Sequence, residues 1–134
     1  MSIVSSGLLA LAPAAGAADG WQPRSGGGGT ARLELTEPYK VGFATITVSP
    51  QGTGWDVDAL VTKTVNDPGC VFLQADDAPS RTRETALEPG QQIGAQCGSA
   101  WTRTQMLTHT EHRRLVLGWS DGDGVPVSWR SVTF

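Results

Sequence analysis

From Thr30 to Phe134 the apolar side chains recur with a period of two, and that spacing restricts the chain to strands. A strand turns successive side chains to opposite faces, whereas a helix needs an apolar stripe of period 3.6. No such stripe of useful length occurs. Ala31, Leu33 and Leu35 alternate with Arg32, Glu34 and Thr36. The clearest segment is 55–65, with Trp55, Val57, Ala59, Val61 and Val65 on one face and Asp56, Asp58, Leu60, Thr62 and Thr64 on the other. Lys63 falls on the apolar face, and near a strand end its stem is expected to lie along apolar neighbours while the ammonium reaches water. In 41–49, Val41, Phe43 and Thr45 have one parity and Ile46 and Val48 the other, so a bulge or a change of face is expected there.

Turn signals separate these segments. Asn66-Asp67-Pro68-Gly69 presets φ at Pro and accepts a positive φ at Gly. Ser120-Asp121-Gly122-Asp123-Gly124 reads as a hairpin turn between 112–119 and 125–134. Residues 101–110 are Thr-rich and strand-like, and 75–92 is a polar connection with a short strand expected at 83–87. About seven short strands with turns between them imply an all-β, antiparallel sandwich formed by residues 30–134.

Cys70 and Cys97 fit no zinc, redox or haem spacing, and are expected to pair as a disulfide in an oxidising compartment. Their loop would contribute roughly 3.5 kcal/mol on the chain-entropy model. The alternative is two buried free thiols. Export is also suggested upstream. Leu8-Leu9-Ala10-Leu11-Ala12, Pro13 and Ala14-Ala15-Gly16-Ala17-Ala18 read as the end of a signal peptide, residues 1–18, with small residues at the −3 and −1 positions. No Lys or Arg precedes Ala18, so a basic region upstream is expected. The alternative is an Ala-rich N-terminus on a cytosolic protein. Residues 19–29 then form an extension, Asp19-Gly20-Trp21-Gln22-Pro23-Arg24-Ser25, on a flexible tether of four glycines.

Several chemistries find no signature. The chain has no Gly-x-Ser-x-Gly elbow, no phosphate loop and no dinucleotide fingerprint, because Gly26 to Gly29 leads into a strand without a Lys. His109-Thr110-Glu111-His112 would present two imidazoles on one helix face, but on a strand residues three apart diverge, and a zinc site needs a further ligand. Both histidines are read as solvated, and no metal or cofactor is expected. Asp56 and Asp58 lie about 7 Å apart on one strand face, a spacing that suits a carboxylate pair but is met equally by two solvent-facing acids. A net charge of −3 lacks the basic stripe that nucleic acid requires, and no apolar run is long enough for a membrane span.

The tryptophans remain. Trp55, Trp119 and Trp129 are in phase with apolar neighbours and are expected in the core. Trp101 lies among Ser99, Thr102, Arg103 and Thr104, and would serve as a stacking platform or an interface anchor if exposed. Trp21, with Gln22, Pro23 and Arg24, is expected either to fold back on its own domain or to dock in a partner's cleft.

The pattern Trp55-x-Val57-x-Ala59-x-Val61, Asp67-x-x-Cys70-Val71-Phe72-Leu73 and Cys97-Gly98 resembles small exported actinobacterial β-sandwich proteins with one disulfide, over residues 52–98. The layout of 19–29 is similar to that of the adaptor subunits of secreted umbrella toxin particles. In those subunits an N-terminal extension enters the cleft of a lectin-like partner. The resemblance implies a secreted, non-enzymatic adaptor that binds another protein, lectin-like in this case. Two alternatives stand beside it: a protease inhibitor presenting Arg81 or Arg83, and a carbohydrate-binding module using Trp101.

Overall fold

The computed structural model describes residues 20–77, 87 and 90–134. The expected signal segment, Asp19, Arg81, Arg83 and nearly all of the strand expected at 83–87 lie outside the described residues. Within them the chain is all-β, with nine strands: β1 Gln22–Pro23, β2 Gly29–Leu35, β3 Gly42–Gln51, β4 Gly54–Lys63, β5 Gly69–Asp76, β6 Gln91–Gln96, β7 Thr102–Thr110, β8 Arg114–Asp121 and β9 Pro126–Thr133. They form two antiparallel sheets, a five-stranded one ordered β1-β2-β3-β4-β7 and a four-stranded one ordered β9-β8-β5-β6.

The two inner faces enclose the core, because period-two strands must bury their apolar parity against something. Leu33, Ile46, Val57 and Val61 come from one sheet, and Leu73, Leu117, Trp119 and Val132 from the other. Trp55 packs against this core only partly buried, and Trp119 is fully within it. Trp129, expected in the core, is half-buried at the surface instead. Its register partner is Gly118, which pairs in turn with Phe72, and that row has the outward parity of the four-stranded sheet.

Three local expectations are corrected. Strand β3 carries no bulge, because Val41 lies just before it, its N–H donating to the Leu35 carbonyl and its carbonyl accepting from the Thr64 N–H, and Phe43 faces outward. Lys63 does not reach water: it is 1% exposed, its Nζ donates to the Gly69 carbonyl at 2.9 Å, and it lies over the Trp119 ring. Burial lowers its pKa. The four glycines are not a loose tether either. Gln22–Pro23 pairs with Gly29–Thr30 as a hairpin, closed by bonds from Arg24 N–H to the Gly28 carbonyl and from Gly27 N–H to that of Arg24. Gly27 and Gly28 have φ of 103° and 74°, and a Cβ at Gly28 would meet the Val48 carbonyl at 2.1 Å. Glycine is required there by the close approach to β3.

The disulfide joins Cys70 to Cys97, tying the start of β5 to the end of β6. On the outward parity of the four-stranded sheet Asp76, Arg114, Gln74 and Val116 are nonetheless buried. Arg114 makes a bidentate pair with Asp76, Nε to Oδ1 at 2.6 Å and a terminal nitrogen to Oδ2 at 2.8 Å. Gln92 Nε2 donates to Gln74 Oε1, and Gln74 Nε2 to Asp76 Oδ2. Among the described residues no helix is long and apolar enough to cross a membrane.

Candidate functional site

The outer face of the five-stranded sheet gathers most of the chemistry. Strand register aligns its outward side chains in rows: Ser49, Asp56 and His109; then Thr30, Thr47, Asp58 and Leu107; then Arg32, Thr45, Leu60 and Gln105; then Glu34, Phe43, Thr62 and Arg103. At one end His109 Nδ1 lies 2.9 Å from Asp56 Oδ1, with both side chains about half exposed. A carboxylate only accepts, so the proton sits on Nδ1 and the Nε2 lone pair points away from the pair. Nε2 packs close beside Gly54, where a Cβ would stand 3.0 Å from Nε2 and 2.4 Å from the Thr110 carbonyl, so the ring takes this place only because residue 54 has no side chain. Gln105 Nε2 donates to Asp58 Oδ1 at 3.0 Å.

Two open concavities flank the middle of this face. One, about 470 Å³, is lined by Thr47, Ser49, Asp56, Asp58, Leu107 and Thr108. The other, about 460 Å³, shares Thr47 and Asp58 and continues to Arg32, Leu60 and Gln22. At the far end Phe43 meets Trp101 edge to face at 6.4 Å, and the Arg32 guanidinium lies 4.1 Å over the Phe43 ring. Trp101 is 68% exposed.

The residues singled out from sequence do not assemble into one site. Trp21 folds back on its own domain, stacking on Phe134 at 5.9 Å, and Phe134 meets Trp55 edge to face at 5.3 Å. Gln22 and Pro23 are exposed on β1, and Arg24 is exposed in the hairpin turn. Trp101 lies beside Lys63, at the opposite end of β4 from Trp55. The histidines are not merely solvated, since each holds an aspartate. Asp56 was legible as an outward-facing residue and His109 only as a solvated one, and their contact depends on the β4–β7 register. Among the described residues no group of three His, Cys, Asp or Glu side chains is placed to hold a metal ion.

His112 Nδ1 lies 2.8 Å from Asp77 Oδ2, and Asp77 Oδ1 accepts from the Arg113 N–H. The His112 hydrogen bond, foremost, holds the Asp77 carboxyl below the usual range against a smaller opposing effect of burial. The folded state therefore binds fewer protons than the unfolded chain. The stabilisation is present above the unfolded value of about 4 and is lost as pH falls through the folded one. In urea titrations, the gap in midpoint between wild type and Asp77→Asn is expected to be full near neutrality and to close as the pH falls below about 4. A gap independent of pH contradicts this account.

No protein-family model matches the sequence, and a search of curated proteins finds no match. Among solved structures, the fold is similar to part of the crystal structure of an endonuclease/exonuclease/phosphatase from Beutenbergia cavernae DSM 12333, with a TM-score of 0.52 and 16% identity. The match covers 78% of this chain and 26% of that one, so the chain spans about a quarter of that protein's length. At this identity the likeness is one of fold. It overturns the expectation of a non-enzymatic adaptor, which rested on the layout of 19–29 and on the absence of catalytic motifs, because the same fold recurs within a protein named for an enzymatic activity. Neither the inhibitor nor the carbohydrate-module alternative gains support from it.

Proposed function

We propose that this chain is a β-sandwich domain of an exported phosphoester hydrolase, with the outer face of the five-stranded sheet turned to the substrate and His109 as its proton-transfer group. The fold likeness to part of a protein named endonuclease/exonuclease/phosphatase carries this reading. The Cys70–Cys97 disulfide supports export, since such bonds persist in oxidising compartments.

The geometry supplies the chemistry in outline. Asp56 holds the imidazole through Nδ1 and so turns Nε2 away from itself, close beside Gly54. Nε2 takes a proton from a water that attacks phosphorus. The phosphorus–oxygen bond to the leaving group breaks in line on the far side, where solvent protonates the departing oxygen, and the imidazolium, stabilised by Asp56, returns its proton to solvent. The concavity that holds Thr47 and Ser49 adjoins Asp56, and their outward hydroxyls offer hydrogen bonds to the ester oxygens.

The test is hydrolysis of bis(p-nitrophenyl) phosphate by the purified chain, with and without divalent cations. Release of p-nitrophenolate is expected, with kcat lowered about 100-fold or more in His109→Ala and less in Asp56→Asn. Release no faster than in buffer, or undiminished in His109→Ala, sinks the proposal.

A further inference from the structure

Trp101 has φ of 66°, the single non-glycine residue among those described with a positive φ. For a bulky side chain that conformation is strained, and it persists only where the surroundings over-determine it. Here they do. Trp101 N–H donates to the Lys63 carbonyl at 2.6 Å and Thr102 N–H to that of Ser99. Asn66 Oδ1 accepts from the Ala100 N–H, and Gln96 Oε1 from the Gly98 N–H. The disulfide at Cys97 anchors the same turn. The outcome of this restraint is an indole held out to solvent.

Its surroundings state what it would hold. Thr62 has the outward parity of the exposed Asp56, Asp58 and Leu60, yet is buried where the Phe43–Trp101 contact crosses its strand. The two rings thus form one aromatic step at this end of the face. Arg32 stacks on Phe43 and makes no hydrogen bond or ion pair among the described residues, and neither does Arg103 in the row of Phe43. A stacked guanidinium keeps its N–H edge free for a bidentate anion.

We propose that Trp101, Phe43 and Arg32 form a binding site for a planar ring that carries a phosphate, the chemistry of a nucleotide. The ring stacks on the indole and the phosphate meets the Arg32 edge. The site goes beyond the hydrolytic reading, because it lies at the other end of the sheet from His109 and does not require that residue to act.

Calorimetric titration of the full chain with adenosine 5′-monophosphate is the test, with adenosine, inorganic phosphate, a tetranucleotide and a neutral oligosaccharide as separate arms. Saturable binding of the monophosphate is expected, at least ten-fold tighter than adenosine or phosphate alone. A tighter tetranucleotide would assign the site to a strand end, and equal affinity to a free nucleotide. Trp101→Gly tolerates the positive φ, so its melting temperature should be unchanged or raised while affinity falls ten-fold or more. Arg32→Gln should remove the preference for monophosphate over adenosine. Unchanged affinity in Trp101→Gly, binding of the oligosaccharide but not the nucleotide, or no binding at all overturns the proposal. If Trp101→Gly does not fold, undiminished affinity in Arg32→Gln overturns it alone.

Discussion

Asp76→Ala is expected to destabilise the fold by roughly 3–5 kcal/mol, enough to lower the melting temperature by about 10 °C or more. The substitution leaves the Arg114 guanidinium 1% exposed with neither of its two carboxylate bonds. A buried charge without its counter-ion retains the full desolvation penalty and none of the attraction that offset it. The bond from Gln74 Nε2 to Asp76 Oδ2 is lost with it. The converse experiment separates charge from packing. Replacing both partners, Asp76→Leu with Arg114→Met, removes the ions together and is expected to recover most of the loss. Chemical denaturation of the three variants checks the pair. An Asp76→Ala midpoint within 1 kcal/mol of wild type would mean that water reaches Arg114.

Removing the disulfide is the second large effect. The bond closes a sequence separation of 27 residues, and on the chain-entropy model its loss in Cys70→Ser with Cys97→Ser costs roughly 3.5 kcal/mol. The wild-type protein in reductant should unfold at the same urea midpoint as the double variant, while oxidised wild type unfolds higher. The two ends of the bond lie at the start of β5 and just past the end of β6, so the oxidised chain begins with part of the four-stranded sheet already registered. Equal midpoints with and without reductant would show that the unfolded chain gains nothing from the cross-link.

The fold class was legible because burial enforces parity. Val57, Ala59 and Val61 are buried, and Asp56, Asp58 and Leu60 exposed, as the alternation requires. The pairing of Cys70 with Cys97 was legible by elimination of other cysteine chemistries. What failed was non-local. Nothing near Lys63 in sequence announces the Gly69 carbonyl and Trp119 ring that hold it inside. Four glycines carry a large entropy cost, but here they turn the chain so that Gln22–Pro23 pairs with the β2 edge, and that pairing is not written in the glycines themselves. The candidate site suffered in the same way. His109 and Asp56 are 53 residues apart, and only the register of β4 against β7 brings their side chains together. Trp101 was open between burial and exposure from its polar neighbours, because its placement depends on a turn bonded to Lys63 and Asn66.

The clasp of Trp21 on Phe134 bears on the order in which the molecule assembles. It joins residues from near the two ends of the chain, with Phe134 further held by two bonds to Arg113. Closing so long a loop early would cost entropy that no other contact has yet offset. Once the two sheets have zipped, the same ends are already neighbours and the closure is cheap. The clasp should therefore form last on refolding and open first under mild stress. In two single-tryptophan variants, one keeping Trp21 and one keeping Trp119, the Trp21 fluorescence would change at denaturant concentrations where Trp119, sealed in the core, still reports an intact sandwich.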